Sequence, residues 1–323
     1  MSDASTRHSE LDSESNLEIL KRNKTIFIAA PREMSARRFT EIVKHYLPKG
    51  NIVIGISQED YVIGFEDQPQ FKMLEQSVVQ PIIDKVAASA SPNKIYPFVY
   101  SQNDLEKIVT KLHSDQRVLL VNGSWKYTFH NSPAYKMLSK NNVPIKFISP
   151  FVDEAEAKEY ELTHMPKVAL PNKGDVLSED EMFNVVDAVS VQSYDYSFQT
   201  GAVIGKKQGD SYEFIASGFN RVIPYQSYAL HHGNSRETHL SQPHDTNHYD
   251  TVHTEMSFLI EAARGDYSLD GATLFINLLP CPNCARTLSQ SSIDGIVYKR
   301  DHSDGYAVEL LKLCGKKVKQ LPE

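Results

Sequence analysis

The sequence predicts two α/β domains in series, and three observations lead to this fold class. The chain has 323 residues, of which 41 % are hydrophobic, and this is enough to build two packed cores of ordinary size. Short apolar runs alternate with amphipathic segments through the first half, and the alternation restarts at Ser178. Pro166, Pro171 and Gly174 break the pattern between the halves. The predicted organisation is a disordered tail over residues 1–22, a first domain over 23–151, a connector over 152–176 and a second domain over 177–323.

The first half has the pattern of a parallel sheet. Strands that alternate with helices run parallel and are covered on both faces, so a doubly wound, Rossmann-like domain is expected. It contains neither of the two common glycine-rich phosphate loops. Arg37 and Arg38 lie at the start of the first predicted helix, where they could bind an anion or be ordinary surface residues. The role of this domain stays open. The predicted strands are 25–30, 51–57, 94–100, 117–122 and 145–148, and the predicted helices are 35–46, 71–87, 104–113 and 133–140. A charged, helix-prone segment over 154–161 is expected in the connector.

The second half opens with a capping box, in which Ser178 precedes Glu181 by three residues. A hairpin is expected around Gly209 and Asp210, and a polar insertion over residues 221–250 follows it. The last two strands are joined through a helix, so they should run parallel. A five-stranded sheet is expected, with strands over 199–206, 212–219, 272–279, 295–299 and 317–321. The predicted helices of this half are 178–192, 253–264, 281–291 and 306–314.

Two short motifs carry the residues with the most specific chemistry. His253-Thr254-Glu255 opens one predicted helix, and Cys281 and Cys284 lie in the first turn of the next, directly after a strand. Cysteines three residues apart share one face of a helix, and a helix N-terminus lowers the pKa of a thiol. A lone Cys-x-x-Cys pair could be structural or redox-active, but His253 adds a third zinc ligand and leaves a fourth tetrahedral position for water. One catalytic zinc ion per chain is therefore expected.

Glu255 is placed to move protons rather than to bind the metal. It lies two residues after His253, and zinc lowers the pKa of a bound water to about 7. We expect Glu255 to take a proton from this water, deliver it to the substrate ring and then protonate the leaving amine. His-x-Glu followed by Pro-Cys-x-x-Cys is the signature of the zinc deaminases that act on nucleobases.

Residues 177–323 resemble the zinc-dependent cytidine deaminase superfamily and, within it, the deoxycytidylate (dCMP) deaminases. The run 270–285, which contains the cysteine motif, and the run 288–298 resemble that family nearly throughout. The runs 201–204 and 217–220 are similar to the first two strands of its fold and to its Gly-Tyr-Asn turn. The resemblance implies an α/β/α domain, a cytosine nucleotide as substrate, and a homo-oligomer whose neighbours line the active site.

Three residues depart from the family's pattern. Thr254 and Ser257 stand where the family usually has Ala and Asn, and Phe219 replaces the Tyr of the turn. These changes leave the zinc ligands intact and bear on the choice of nucleotide.

Several residues are expected to contact the nucleotide. In the family, the Asn that matches Asn220 contacts the deoxyribose. The alternative is that Asn220 is only a turn residue, since Asn tolerates positive φ. The backbone near the first cysteine would hold the base edge, and cations at the carboxyl end of a strand are the candidates for the 5′-phosphate. The expected substrate-binding residues are Asn220, Ala202, Leu279, Pro280, Lys299 and Arg300.

The remaining histidines and the third cysteine have expected structural roles. Cys314 falls among leucines on the last predicted helix and should be a buried core thiol. Five of the twelve histidines lie in the insertion, which contains no cysteine. We expect them to be solvated loop residues, and the alternative of a second metal ion in the insertion stays open. These five are His231, His232, His239, His244 and His248.

The sequence thus predicts a hydrolase that converts dCMP to dUMP and ammonia. Residues 175–323 carry 12 Lys and Arg against 20 Asp and Glu, and this negative balance disfavours long nucleic acids as partners. An editing deaminase acting on single-stranded DNA or tRNA and a non-catalytic nucleotide sensor are the alternatives, although a sensor has no need of Glu255. The chain shows no apolar stretch of membrane length and no secretory signal, so a cytoplasmic location is expected.

Overall fold

The computed structural model of the chain describes residues 18, 20–21, 24–195, 197–243, 245 and 247–321. The predicted tail over 1–22 lies almost wholly outside the described residues, and so does His244. The described residues form two compact units. The first unit consists of the residues up to His164 together with Ser227–Asp250, and the second consists of Met165–Gln226 and the residues from Thr251 onward.

A parallel five-stranded sheet forms the centre of the first unit. Its strands are β1 (Ile26–Ala29), β2 (Ile52–Ser57), β3 (Ile95–Tyr100), β4 (Arg117–Val121) and β5 (Ile145–Ile148), and its first helices are α1 (Ala36–Tyr46), α2 (Gln76–Ala87), α3 (Leu105–Val109) and α4 (Pro133–Lys140). The strand order is β3-β2-β1-β4-β5, with every neighbouring pair parallel. Ile28 and Ile54 pack with α1 and α2 on one face, and Phe27 and Val53 are buried on the other. Apolar side chains therefore face packed layers on both sides of the sheet, as parallel strands require.

The structure divides the chain differently from the sequence-based domains. Helix α5 (Glu154–His164), which we expected in the connector, belongs to the first unit, and Ala157 on this helix is fully buried. The segment Ser227–Asp250, with the short helices α7 (Tyr228–His232) and α8 (Ser235–Thr238), also belongs to the first unit. Oγ of Ser227 donates a hydrogen bond to the carbonyl oxygen of Ala157 at 2.8 Å. A fragment that starts near residue 175 would therefore carry this segment without the surface on which it packs.

The second unit contains a mixed sheet of six strands in the order β13-β12-β11-β7-β8-β6. Its elements are β6 (Val176–Leu177), α6 (Glu179–Ser190), β7 (Gly201–Gln208), β8 (Ser211–Phe219), β9 (Arg221–Val222), β10 (Thr251–Val252), α9 (Thr254–Ala263), β11 (Ala272–Leu278), α10 (Pro282–Ser289), β12 (Gly295–Arg300), α11 (Tyr306–Leu313) and β13 (Lys317–Gln320). Strands β11, β12 and β13 are parallel, which confirms the expectation for the last two. One core cluster joins α9, α10 and α11 to one face of the sheet, and a second joins α6 to the opposite face.

Two sequence-based expectations for this unit were wrong. The sheet has six strands rather than five, because Val176 and Leu177 pair antiparallel with β8 in a strand too short to show alternation. Cys314 is exposed rather than buried. Helix α11 ends just before it, so Cys314 no longer follows the spacing that buries Ala307 and Leu311. None of the described helices is both long enough and apolar enough to span a membrane.

Gly201 is required by the close approach of helix α6 to strand β7. A Cβ atom on this glycine would lie 2.3 Å from the carbonyl oxygen of Val186 and 2.7 Å from the backbone nitrogen of Ser190. We expect Gly201→Ala to lower the free energy of unfolding by about 1–3 kcal/mol, the usual cost of overpacking. Gly295→Ala is the control, since its nearest neighbour would lie at 3.2 Å. Urea unfolding followed by circular dichroism measures both, and an equal loss in the two variants would contradict this account.

Candidate active site

Two helix starts in the second unit bring His253, Cys281 and Cys284 together. His253 is the N-cap residue of α9, and Cys281 is the N-cap residue of α10, where its sulfur accepts a hydrogen bond from the Cys284 backbone N–H. Nδ1 of His253 lies 3.6 Å from Sγ of Cys281 and 3.3 Å from Sγ of Cys284. Within the described part of the chain, this is the one group of three His, Cys, Asp or Glu side chains whose ligand atoms lie close enough together to hold a metal. The insertion histidines form no second group there.

The spacing of these three atoms fits a zinc ion. Zinc binds thiolates at about 2.3 Å and imidazole nitrogens at about 2.0–2.1 Å, so a tetrahedral site places nitrogen and sulfur ligands roughly 3.5–3.6 Å apart. Both nitrogen–sulfur distances in the site are close to this value. Three protein ligands leave one tetrahedral position open, as in a catalytic zinc site.

Glu255 lies beside the three ligands in the first turn of α9. Its side chain is buried, its carboxyl group contacts the Cys284 thiol, and its Oε2 atom has no hydrogen-bond partner among the described residues. A buried carboxylate oxygen without a partner costs free energy, and such atoms in native proteins usually meet a water, an ion or a ligand. The Oε2 atom of Glu255 is thus available to a water or a ligand beside the metal ligands.

The charges at the site favour a cation. A hydrogen bond from Cys284, against the effect of burial, lowers the pKa of the Cys281 thiol to about 3. Burial would lower the pKa of His253, but the Cys281 thiolate and Glu255 outweigh it and raise this pKa above its ordinary value. Burial raises the pKa of Glu255. The Cys281 sulfur is therefore a thiolate, the form of cysteine that binds a metal ion.

Asn220 supports the start of helix α9. Its Oδ1 atom accepts a hydrogen bond from the backbone N–H of Thr254 at 3.0 Å, and its Nδ2 atom donates to the carbonyl oxygen of Phe198 at 3.1 Å. The side chain is almost completely buried, and the residue does not have the positive φ that a turn residue would need. Asn220 thus satisfies the first free N–H group of the helix that carries Glu255.

A chain of hydrogen-bonded polar residues, not noticed in the sequence, extends from Asn220 to strand β11. Ser193 donates a hydrogen bond to the carbonyl oxygen of Asn220, and Gln199 donates to that of Ser193, both at 2.7 Å. Asn277 donates to the carbonyl oxygen of Gln199 at 3.0 Å and accepts from the backbone of Gly201 at 3.1 Å. An Asn within the otherwise apolar strand was the signal that could have found this network, since a buried amide must be hydrogen-bonded.

The residues expected near the base are placed around the end of β11. Ala202 on β7 is fully buried and pairs with Ile276 of β11. Leu279 and Pro280 are also buried, and they lead directly into Cys281. Leu279 and Pro280 therefore lie between the end of β11 and Cys281, and Ala202 lies on the strand that pairs with β11.

Of the two residues expected at the phosphate, the structure brings only Arg300 to the face of the metal site. Nζ of Lys299 lies 2.6 Å from the carboxylate of Asp187 and 5.2 Å from the ring centre of Phe183, on the face that α6 covers. Side chains alternate along a strand, and Tyr298 packs in the cluster of α9 and α10, so Arg300 faces that side. Arg300 is exposed, and its carbonyl oxygen accepts a hydrogen bond from the backbone of Leu279 at 2.8 Å.

Comparison with known proteins finds a region of the chain that is similar to deaminases. Residues 178–300 match the family model of the cytidine and deoxycytidylate deaminase zinc-binding region, and no family model matches the N-terminal half. The matched region is therefore similar to a deaminase zinc-binding region, and it contains the His/Cys/Cys group that could hold a metal.

The individual relatives include two phage enzymes. Deoxycytidylate deaminase of Enterobacteria phage T4 is 28 % identical over 121 residues, which cover 36 % of this chain and 58 % of that protein. Deoxycytidylate deaminase of Enterobacteria phage T2 is 43 % identical over 47 residues, which cover 15 % of this chain and 25 % of that protein. The chain therefore spans about half or less of the length of these relatives. The apo crystal structure of dCMP deaminase from cyanophage S-TIM5 is 17 % identical, with a TM-score of 0.31, and the similarity covers 44 % of this chain and 95 % of that one.

Proposed function

We propose that the protein is a zinc-dependent hydrolase that removes the 4-amino group of cytosine in a deoxynucleotide, with dCMP as substrate and dUMP and ammonia as products. The observation that carries this proposal is the unpartnered, buried carboxylate oxygen of Glu255 beside three residues spaced for zinc. The match of residues 178–300 to the deaminase zinc-binding region supports the reaction type. The names of the phage relatives support the choice of dCMP.

His253, Cys281 and Cys284 would hold the zinc ion, and Glu255 would move the protons. A zinc ion at this site would act as a Lewis acid that makes water a better nucleophile near neutral pH. Glu255 takes a proton from the water whose oxygen attacks carbon 4, and it delivers this proton to ring nitrogen 3. Glu255 then transfers the second proton of the water to the amino group as the bond from carbon 4 to nitrogen breaks. Water and cytosine are thereby converted to uracil and ammonia.

Substrate contacts are assigned within the same proposal. Arg300 is the candidate for the 5′-phosphate, because it is exposed on the face of the metal site, whereas Lys299 pairs with Asp187. The backbone of Leu279 and Pro280, with Ala202 beside them, is the candidate for the base edge.

Asn220 is proposed as a positioning residue, since both ends of its side-chain amide bind backbone groups. Asn220→Ala is expected to lower kcat by roughly 10- to 100-fold, the usual effect of losing a supporting partner of a metal site, and to change KM little. The visible spectrum of the cobalt-substituted protein should shift as well, because His253 lies at the same helix start. The control is Asn184→Ala, an exposed residue of α6. A rise in KM at unchanged kcat and an unchanged cobalt spectrum would instead make Asn220 a substrate contact.

A release assay for ammonia tests the function. The zinc-loaded chain is offered cytidine, CMP, dCMP, dCTP and a single-stranded DNA oligonucleotide at equal concentration. We expect release from dCMP to be the fastest, and none from the oligonucleotide. Release from the oligonucleotide alone would indicate an editing deaminase, and tight binding of nucleotide without release would indicate a sensor.

The architecture of the whole chain is proposed in two further respects. The first unit is a doubly wound, Rossmann-like domain, a proposal supported by its all-parallel order β3-β2-β1-β4-β5 and by the burial of both sheet faces. The chain forms a homo-oligomer, as the family resemblance implies. Light scattering of the purified protein measures its mass against the 36.5 kDa of one chain.

A further inference from the structure

Residues 227–250, called the strap from here on, belong to the first unit, but the chain on both sides of them belongs to the second unit. Strand β9 pairs antiparallel with β10, and the chain between these strands passes into the first unit. Asn220 directly precedes β9, and His253 directly follows β10. The backbone N–H of Thr254 donates to Asn220 at 3.0 Å. The segments that flank the strap therefore carry Asn220, which supports helix α9, on one side and the metal-ligand candidate His253 on the other.

The strap is seated on the carboxyl ends of two strands of the first unit. Leu230 is buried and lies over Gly123, because a Cβ atom on this glycine would come 2.0 Å from Cδ2 of Leu230. Asn122, the first residue after β4, donates to the carbonyl oxygen of His231 at 3.3 Å. Oγ of Ser149, the first residue after β5, lies 3.0 Å from Nδ1 of His231. Open parallel sheets bind ligands outside the carboxyl ends of their strands, at the point where the strand order reverses. In the first unit this point lies between β1 and β4. The strap covers the carboxyl ends of β4 and β5 beside it.

A buried His–Glu pair fastens the second half of the strap. Nδ1 of His130 lies 2.9 Å from the carboxylate of Glu237, which also accepts hydrogen bonds from the backbone N–H groups of Phe129 and His130. Nε2 of His130 lies 2.7 Å from the carbonyl oxygen of Ser241. The side chains of His130 and Glu237 are only 6 % and 10 % exposed. Loss of this one carboxylate would leave several buried donors unpaired, so the seat of the strap depends on Glu237.

We propose that the strap couples the carboxyl edge of the first unit's sheet to the metal site. While the strap is seated, the β9–β10 pair keeps Asn220 against Thr254 and so fixes the helix start that holds His253. A ligand that bound at the covered edge would have to displace Leu230. Displacement of the strap would loosen the β9–β10 pair and, through it, the metal site. The expected change in ammonia release rests on the proposed function, whereas the expected change in zinc transfer does not.

The test compares Glu237→Ala with two controls in the zinc-loaded chain of 323 residues. Thr238→Ala changes an exposed residue of the strap, and Val79→Ala removes buried methyl groups from the core cluster of the first unit's sheet. Three rates are measured: proteolytic cleavage within the strap, zinc transfer to a chelator, and ammonia release from dCMP. In Glu237→Ala we expect faster cleavage and zinc transfer faster by roughly fivefold or more, the range of ordinary coupling between sites, with slower ammonia release. Both controls should stay within about twofold of the unchanged chain.

Two results would overturn the coupling. One is faster cleavage of the strap at an unchanged rate of zinc transfer, and the other is an equal acceleration of zinc transfer in Val79→Ala, which would indicate general loss of stability. If Glu237→Ala does not fold, Leu230→Ala is judged by the same rates and the same limits. If the unchanged chain releases no ammonia from dCMP but zinc transfer responds as expected, the proposed function fails and the coupling stands.

Discussion

Replacement of Glu255 by Gln is expected to abolish deamination while the zinc content stays unchanged. The amide fills nearly the same volume as the carboxylate, but it can neither take a proton from water nor deliver one to the base. General acid–base catalysis contributes about 10²–10⁴-fold to a rate, and here one residue would serve both proton transfers, so kcat should fall by at least this factor. Zinc should be retained because Glu255 does not belong to the group of three ligands.

The measurement pairs ammonia release with elemental analysis of the same protein sample. Glu261→Gln is the matched control: this residue lies on the same helix, and its carboxylate accepts a hydrogen bond from Tyr267. Near-normal turnover by Glu255→Gln would refute the assigned proton transfers. Loss of zinc in this variant would show that the carboxylate helps to bind the metal.

Replacement of Cys284 by Ala is expected to remove zinc and activity together. Cys284 lies 3.3 Å from Nδ1 of His253, and its loss leaves two ligands, whereas a catalytic zinc site has three protein ligands. Metal binding contributes to folding where the ligands must be held together, so the thermal midpoint of the variant in the presence of zinc should also fall. Elemental analysis is expected to give about one zinc ion per unaltered chain and a trace in the variant.

The third cysteine supplies the control for this experiment. Cys314 is exposed, so Cys314→Ala should keep both metal and activity. Equal zinc content in Cys284→Ala and Cys314→Ala would contradict the assignment of the metal site. Zinc loss in both would point to a metal held by a different set of ligands.

Much of the candidate site could be inferred from short-range features. The spacing of Cys281 and Cys284, at a helix start after a strand, is set by helical geometry and appears in the structure as expected. Glu255 follows His253 by two residues, so its proximity to the metal ligands is also a local property. The contacts of Asn220 with Thr254 and Phe198 could not be inferred, because they join segments that are distant in the sequence.

The two phosphate candidates show a further limit of sequence reasoning. Lys299 and Arg300 are neighbours in a strand, and their side chains must point to opposite faces. Which face carries the metal site depends on how α6, α9 and α10 pack, and only the structure shows that Lys299 meets Asp187 on the α6 side.

By itself, the sequence determined the alternation of strands and helices in both halves and the three residues suited to zinc. These are properties of periodicity and spacing within a few turns of chain, which backbone geometry dictates directly. Only the tertiary structure decided that residues 227–250 belong to the first unit, that Asp187 pairs with Lys299 and that Cys314 is exposed. Each of these outcomes depends on which distant surfaces bury apolar area against each other, and a linear pattern does not specify the partner of an apolar face.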